Sequence, residues 1–224
     1  MTLSMRRKRA RREDVGLTRA EFAILRRLDT PQKIQIFVNA IPANHEIGGE
    51  TILSVRQVLR QRRAHCIEGA FVAACGLWIH GEPPLVMFMD CDTSDHPHVL
   101  ALFRRGGDWG AISKHNGAQL RYRDPVYRSL RELAMSYFHE YFDKRGRKTL
   151  RSYSGAFDLR RIDPRLWVTS EKACQEVNDR LTRLRGYSLV SSSQARLLSC
   201  RDNFERKAAK LVQYPRTTPP AWRG

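Results

Sequence analysis

A cysteine, a histidine and a polar residue stand in an order that suits thiol catalysis. Cys66 opens a predicted helix, His98 opens a predicted strand, and Asn116 follows the end of the next strand. Acyl transfer by a thiol needs a thiolate, a base that takes and returns its proton, and a third group that orients the base. A helix N-terminus favours the thiolate, because its unpaired N–H groups and its dipole stabilise negative charge. The sequence predicts Cys66 as nucleophile and His98 as base.

The third residue depends on the register of a predicted hairpin. Residues paired across an antiparallel turn have indices that add up to a constant. A loop centred on Gly107 places Asn116 opposite His98, on the same face of the sheet, and we favour that register. A two-residue turn shifts the register by one and places His115 there instead. We therefore expect Asn116 to orient His98, with His115 or Ser113 as the alternatives.

Other residues near these positions have simpler interpretations. His65 is expected to point away from Cys66, and Glu68 to stabilise the first turn of the helix. Cys75, Cys174 and Cys200 are expected to be small apolar side chains. The segment of residues 90–98 is rich in Asp and His, but it lacks a recognised zinc spacing, so we predict neither a metal nor a cofactor.

The elements that would position these residues follow from hydrophobic periodicity and from helix-terminating residues. Helices are predicted over residues 18–29, 30–41, 54–61 and from Cys66 to about Leu77, the first with a capping box at Thr18 and Glu21. Strands are predicted over residues 85–90, 98–103 and 109–113. A further helix is predicted over residues 126–142, then a strand within 150–159, a helix over 170–184 and a basic helix within 195–211.

Part of this pattern resembles a known family. The segments RRAHCIEGAFVAACGL, HVLALFRRGGDWGAISKHN and LRYRDPVYRSLRELAMSYFHEYF resemble the nucleophile helix, the histidine strand and the continuation of bacterial transglutaminase-like proteins, within the papain-like superfamily. The resemblance covers roughly residues 30–168. It implies a cysteine enzyme whose third residue is usually an aspartate shortly after a tryptophan. Ser113 stands four residues past Trp109 here, so the chain departs from that pattern.

Composition limits the class of protein. The chain has 224 residues, 42% of them hydrophobic, which is enough for a packed core, and no apolar run approaches the roughly 18 residues of a membrane span. Five cysteines without a paired spacing, and no secretory signal, favour the reducing cytoplasm. The net charge is +17, of which residues 1–12 contribute six basic side chains. A solvated basic surface is the simpler interpretation, and a polyanion-binding patch is the alternative.

Together these patterns predict an α+β fold in which helices pack on a small antiparallel sheet. Residues 1–14 should be a disordered basic tail, 15–168 the transglutaminase-like domain, and 169–224 a helical extension with a Pro-rich end. The predicted function is acyl transfer from an amide or ester, as a peptidase, amidase or acyltransferase. The alternative is an inactive scaffold of this fold, or a basic nucleic-acid-binding protein.

Overall fold

The computed structural model describes residues 9–216 and shows a mixed fold of helices and one antiparallel sheet. The helices are α1 (Arg12–Val15), α2 (Arg19–Arg26), α3 (Pro31–Ala40), α4 (Val55–Gln61), α5 (Cys66–Ile79), α6 (Leu130–Met135), α7 (Gln175–Thr182), α8 (Ser192–Arg196) and α9 (Asn203–Ala208). The strands are β1 (Leu85–Cys91), β2 (His98–Arg105), β3 (Asp108–Ile112), β4 (Arg123–Tyr127), β5 (Leu150–Ser154), β6 (Phe157–Asp158) and β7 (Gly186–Ser188). This arrangement confirms the predicted α+β class.

The strand order is β4-β3-β2-β1-β5-β7, with β6 also pairing with β1. All the strand pairs are antiparallel. The sheet of the described residues therefore has seven strands, whereas the sequence predicted three or four. The additional strands β4, β6 and β7 have five residues or fewer, and β6 and β7 pair with strands far along the chain, so local periodicity gives little sign of them.

Local chemistry explains where the first helices begin. Thr18 accepts a hydrogen bond from the backbone N–H of Glu21, and the Glu21 carboxylate accepts from the N–H of Thr18, which completes the predicted capping box. Thr30 and Ser54 cap α3 and α4 in the same manner. These caps place the starts of α2, α3 and α4 within a residue or two of their predicted positions.

The alternation of side chains along β1 and β2 gives the sheet two buried faces. Val86, Phe88 and Val99 pack under α2, α3, α4 and α5, in the larger core. Met87 and Leu100 point the other way, into a second core that α6 and the following 3-10 turn cover. Because α5 lies on the first face, Cys66 is held at one end of the larger core.

Three predicted elements are wrong in ways that the packing explains. The helix predicted over residues 126–142 is replaced by strand β4, helix α6 and a 3-10 turn, since the segment pairs with β3 before it turns. Residues 9–14 do not form a disordered tail: Ala10 is buried and donates its N–H to Trp78 O, and α1 follows. The predicted basic helix within 195–211 is interrupted between α8 and α9. Residues 1–8 and 217–224 lie outside the described residues.

The C-terminal part of the described chain completes the core. Val177 and Leu181 of α7 are fully buried in the larger core, and β7 extends the sheet beside β5. Within residues 9–216, no helix combines the length and the apolar character that crossing a bilayer requires.

Candidate active site

Cys66 is the first residue of α5 and faces a cavity of about 300 Å³. The helix is 14 residues long and almost entirely buried, so its N-terminus is held rigidly against the sheet. By helix geometry, the first N–H groups of α5 have no acceptor inside the helix, and they favour negative charge at the thiol. The sequence placed Cys66 correctly at a helix N-terminus.

His98 is the first residue of β2 and lies in the same cavity as Cys66. It pairs with Met89 across the ladder, and its side chain is buried. Its imidazole is close enough to the thiol to act as a hydrogen-bond partner that lowers the pKa of Cys66. The structure thus brings together the two residues predicted as nucleophile and base.

Ser113 is the residue that holds the His98 ring. Its Oγ lies 2.8 Å from His98 Nε2 and donates a hydrogen bond of 2.5 Å to the carbonyl of Leu120. Because that hydroxyl proton is committed to Leu120, Oγ accepts from Nε2–H. This tautomer leaves Nδ1 of His98 without a proton and available to the thiol.

A side-chain clamp fixes Ser113 itself. The carboxamide of Gln35, on α3, accepts from the N–H of Ser113 at 2.9 Å and donates to its carbonyl at 2.8 Å. This contact replaces the ladder hydrogen bonds that a continuing β3 would make, so the chain can leave the sheet after Ile112 without buried unpaired groups. Ser113 therefore orients the base, while Gln35 and the Leu120 carbonyl hold Ser113 in place.

The prediction that Asn116 orients His98 is wrong. Ala101 pairs with Ile112 and Arg105 with Asp108, so the register is the one given by a two-residue turn. Gly106 and Gly107, at that turn, both have positive φ, as a tight hairpin turn requires.

Asn116 lines the cavity, but its carboxamide exchanges two hydrogen bonds with the backbone of Tyr214, at 2.8 and 2.9 Å. The alternative residue, His115, does not pair with His98 either, since β3 ends at Ile112. The His115 ring lies edge-on to His98 with centroids 6.0 Å apart, and burial lowers the pKa of His115 to about 4. His115 therefore lines the cavity as an uncharged ring.

A second histidine contacts the thiol, which the sequence did not predict. His65 Nδ1 lies 3.9 Å from Cys66 Sγ, whereas we expected His65 to point elsewhere. Its Nε2 lies 2.8 Å from the carbonyl of Thr51 and 3.3 Å from Glu68 Oε1. As the residue that precedes the helix, His65 has an extended backbone, which allows its ring to turn back over Cys66.

Glu68 supports His65 from within the core. Its side chain is fully buried, and its oxygens accept from the N–H groups of His65 and Leu53, both at 2.8 Å, and from the side chains of Asn44 and Thr51. Such a network stabilises a buried carboxylate, which in turn favours a positive charge on His65. Glu68 therefore does more than stabilise the first turn of the helix.

The pKa shifts describe a thiolate beside an imidazolium. Burial alone would raise the pKa of Cys66, but the hydrogen bonds and charges of His65 and His98 bring it well below its usual value. Burial opposes charge on His65 as well, yet the Cys66 thiolate and Glu68 raise its pKa to about 9. In contrast, burial raises the pKa of Cys91 and of Cys174 to about 12.

The Cys66 thiol therefore lies between two imidazoles. His65 contacts the Glu68 carboxylate, and His98 contacts the Ser113 hydroxyl. The arrangement can form a nucleophilic thiolate near neutral pH and can return a proton to a leaving group. Within residues 9–216, no group of three or more His, Cys, Asp or Glu side chains converges as metal ligands would. No protein-family model matches this chain, and no curated protein matches it either.

Proposed function

We propose that the protein is a thiol-dependent acyl-transfer enzyme that acts on an amide or ester through a covalent intermediate on Cys66. The observation that carries this proposal is the position of the thiol between His65 Nδ1, at 3.9 Å, and His98, whose Nε2 is bound to Ser113. We further propose that the helices and the sheet form a transglutaminase-like or papain-like core. The five free cysteines suit a reducing cytoplasm.

The proposed reaction has two steps. In the first, the thiol proton moves to His98, and the Cys66 sulfur attacks the carbonyl carbon, so that a C–S bond forms. The C–N or C–O bond then breaks, and the His98 imidazolium protonates the leaving amine or alcohol. In the second, water or an amine gives its proton to His98 and attacks the thioester, which releases the acyl product and the Cys66 thiolate.

Charge balance in the cavity supports this assignment. Once the thiol proton has moved to His98, two cations, His98 and His65, face two anions, the thiolate and the buried Glu68 carboxylate. The N–H groups in the first turn of α5 can stabilise the oxyanion of the tetrahedral intermediate. Hydrolysis and transfer to an amine use the same groups and differ only in the nucleophile of the second step.

The test is the rate of alkylation of Cys66 by iodoacetamide as a function of pH. We expect the midpoint of the rate profile to lie well below the ordinary thiol value of about 8.5, and to move upward in His98→Gln. An acyl electrophile probe should form a covalent adduct at Cys66 in the native chain. Its rate of formation should fall by about 10²- to 10⁴-fold in His98→Gln, the range for loss of a general base.

Two controls make the result specific. Cys66→Ser should abolish the fast phase, and Cys200→Ser, which removes an exposed cysteine, should leave it unchanged. Circular dichroism of each variant would show whether it is folded. A Cys66 midpoint at the ordinary thiol value in the folded native chain would refute the proposed enzyme and favour an inactive scaffold.

A further inference from the structure

A second cavity, of about 490 Å³, lies between the turn after Phe142 and helix α9. Two hydrogen bonds hold its walls together: the backbone N–H of Arg201 donates to Gly146 O, and the guanidinium of Arg206 donates to Lys144 O. The charged residues that line it are Asp143, Lys144, Arg206, Lys207 and Lys210. We call this space the basic cavity.

The positive charge of the basic cavity is not neutralised by the described protein. Its one carboxylate, on Asp143, is already paired with Arg147 at 2.7 Å. Among residues 9–216, no carboxylate lies within ion-pair distance of Lys144, Lys207 or Lys210. Three ammonium groups that share one concave surface, with no counter-ion from the chain, form an attractive site for an anionic ligand.

The basic cavity adjoins the cavity of Cys66. Phe142 lines both, so the two cavities share one residue of their walls. The guanidinium of Arg201 lies over the Phe142 ring at 4.3 Å, and its buried Nε has no hydrogen-bond acceptor among the described residues. A ligand that runs past Phe142 would therefore meet the thiol on one side and the cations on the other.

The chemistry of Cys66 limits the class of this ligand. A thioester forms only from a molecule that carries an acyl carbonyl, and polypeptides carry one at every residue, whereas the backbone of a nucleic acid carries none. The neighbouring side chains agree, since Phe204 and Leu211, beside the lysines in sequence, are 80% and 70% exposed. Cations next to exposed apolar side chains suit an acidic polypeptide that also carries apolar residues.

We propose that the two cavities bind one ligand, an acidic segment of a polypeptide, whose amide or ester carbonyl reaches Cys66 while its carboxylates lie in the basic cavity. This inference rests on the proposed function, because it assigns the substrate class of the same thiol. The lysines act as specificity-determining residues, since they contact the substrate away from the reacting bond.

The first experiment measures binding without chemistry. Full-length protein carrying Cys66→Ser is titrated into a fluorescein-labelled oligoglutamate peptide, and binding is followed by fluorescence anisotropy. We expect Lys144→Gln, Lys207→Gln and Lys210→Gln together to weaken binding by about tenfold, as three exposed charge contacts of ordinary strength would. The control replaces Lys172, Arg180 and Arg183, which are exposed and do not line the cavity, with Gln. This control has the same net charge and should bind like the parent protein.

The second experiment tests whether one ligand occupies both cavities. Chloroacetyl-oligoglutamate and chloroacetyl-oligoglutamine are compared as alkylating agents for Cys66, in a Cys200→Ser background that removes the exposed thiol next to Arg201. In each reaction the thiolate forms a C–S bond and chloride leaves. We expect the acidic peptide to label Cys66 about tenfold faster, and we expect this preference to disappear in the triple lysine variant.

Each negative outcome has a distinct meaning. If the acidic peptide binds but gains no advantage in labelling Cys66, the cavities do not share a ligand, and the inference is overturned while the thiol chemistry stands. If a single-stranded oligonucleotide of equal charge displaces the peptide at lower concentration than unlabelled peptide does, the basic cavity is a nucleic-acid site instead. If both reagents label Cys66 no faster than an ordinary thiol, the proposed function itself fails.

Discussion

At the scale of single residues, the two histidines around Cys66 have different partners and so should have different roles. His65 contacts the buried Glu68, which favours the imidazolium, whereas His98 contacts the Ser113 hydroxyl through Nε2, which orients the ring. We infer that His65 stabilises the thiolate by charge, and that His98 moves the proton. The predictions below separate these roles.

Replacing His65 with Gln should raise the pKa of Cys66, because the thiolate loses an adjacent cation. His65 has a pKa of about 9, so its imidazolium supports the thiolate throughout neutral pH. That support is lost only as the pH rises through about 9. Alkylation by iodoacetamide should therefore slow in His65→Gln at neutral pH and match the native rate in strong alkali, where both thiols are ionised.

His96 provides a matched control for that variant. It is exposed and lines the same cavity, and its side chain does not hydrogen-bond the thiol. His96→Gln should keep the native midpoint. An unchanged midpoint in His65→Gln would show that the contact between His65 Nδ1 and Cys66 Sγ does not stabilise the thiolate.

Ser113→Ala should impair the base without removing it. His98 Nε2–H loses its acceptor and Leu120 O loses its donor, so the imidazole can rotate away from the thiol. Misplacement of a catalytic group slows reactions by up to about a hundredfold, and we expect adduct formation with an acyl probe to slow by about tenfold to a hundredfold. The free energy of unfolding should fall by about 1–3 kcal/mol.

The exposed Ser193 is the comparison residue for Ser113. Ser193→Ala should change neither the rate nor the stability, since Ser193 lies on the surface of α8. If Ser113→Ala reacted as fast as the native chain, the orientation of His98 would have to come from other groups in the cavity.

The sequence was sufficient to predict the positions of Cys66 and His98, because a helix N-terminus and a strand start are local features. It did not single out Ser113, because either register of the hairpin places another residue, Asn116 or His115, opposite His98, whereas Ser113 meets His98 just after β3 has ended at Ile112. The clamp from Gln35 joins residues 78 positions apart and leaves no local pattern. The position of the His65 ring depends on a buried Glu68 network that likewise forms only in the fold.

At the scale of elements, α5 determines where the thiol lies, and two of its glycines test how closely it must pack. A Cβ on Gly69 would overlap Cβ of Lys114, an atom fixed next to the backbone. A Cβ on Gly76 would lie 3.3 Å from Cδ1 of Ile34, the far end of a flexible side chain. Replacement by Ala should therefore destabilise the protein at Gly69 but not at Gly76, although both lie on α5.

Gly69→Ala should lower the free energy of unfolding by about 1–3 kcal/mol, because the helix and the segment after β3 must separate. Gly76→Ala should be neutral or stabilising by up to about 1 kcal/mol, since Ala is the better helix former and Ile34 can adjust. Urea denaturation measures both. Equal destabilisation by the two variants would contradict the close approach of α5 to Lys114.

Elements with strong local signals were predicted well, and those that depend on distant partners were not. Thr18, Thr30 and Ser54 mark helix starts by capping, and β1 is a continuous apolar run. The apolar residues that recur at helical spacing after Val126 predict a helix there. In the structure Val126 is exposed on the edge strand β4, where pairing with β3 outweighs that periodicity.

At the scale of the whole molecule, the C-terminal segment closes the fold around the active site. After β7 joins the sheet edge and α9 forms one wall of the basic cavity, Val212 bridges to Gly117 and Tyr214 pairs with Asn116. The Tyr214 ring also lies 5.1 Å from the ammonium of the buried Lys114. This path could not be predicted from the sequence, because residues 116 and 214 lie 98 positions apart, and hydrogen bonds between them leave no local sequence pattern.

Asn116→Ala should release this segment while leaving the thiol unchanged. The substitution removes two side-chain hydrogen bonds to Tyr214, each contributing about 1 kcal/mol, so local opening should become about tenfold to thirtyfold more frequent. Hydrogen exchange followed by mass spectrometry should show faster exchange of residues 212–214. The pH midpoint of Cys66 alkylation should remain native, because Asn116 does not contact His98.

Ser113→Ala should give the opposite pair of results, with native exchange at residues 212–214 and slowed acyl-probe chemistry at Cys66. Together the two variants would show that Ser113 orients the base and that Asn116 holds the C-terminal segment at Tyr214. If Asn116→Ala slowed acyl-probe chemistry as Ser113→Ala does, the carboxamide would have to reach His98 in solution. The register of the β2–β3 hairpin would then differ from the one in which Ala101 pairs with Ile112.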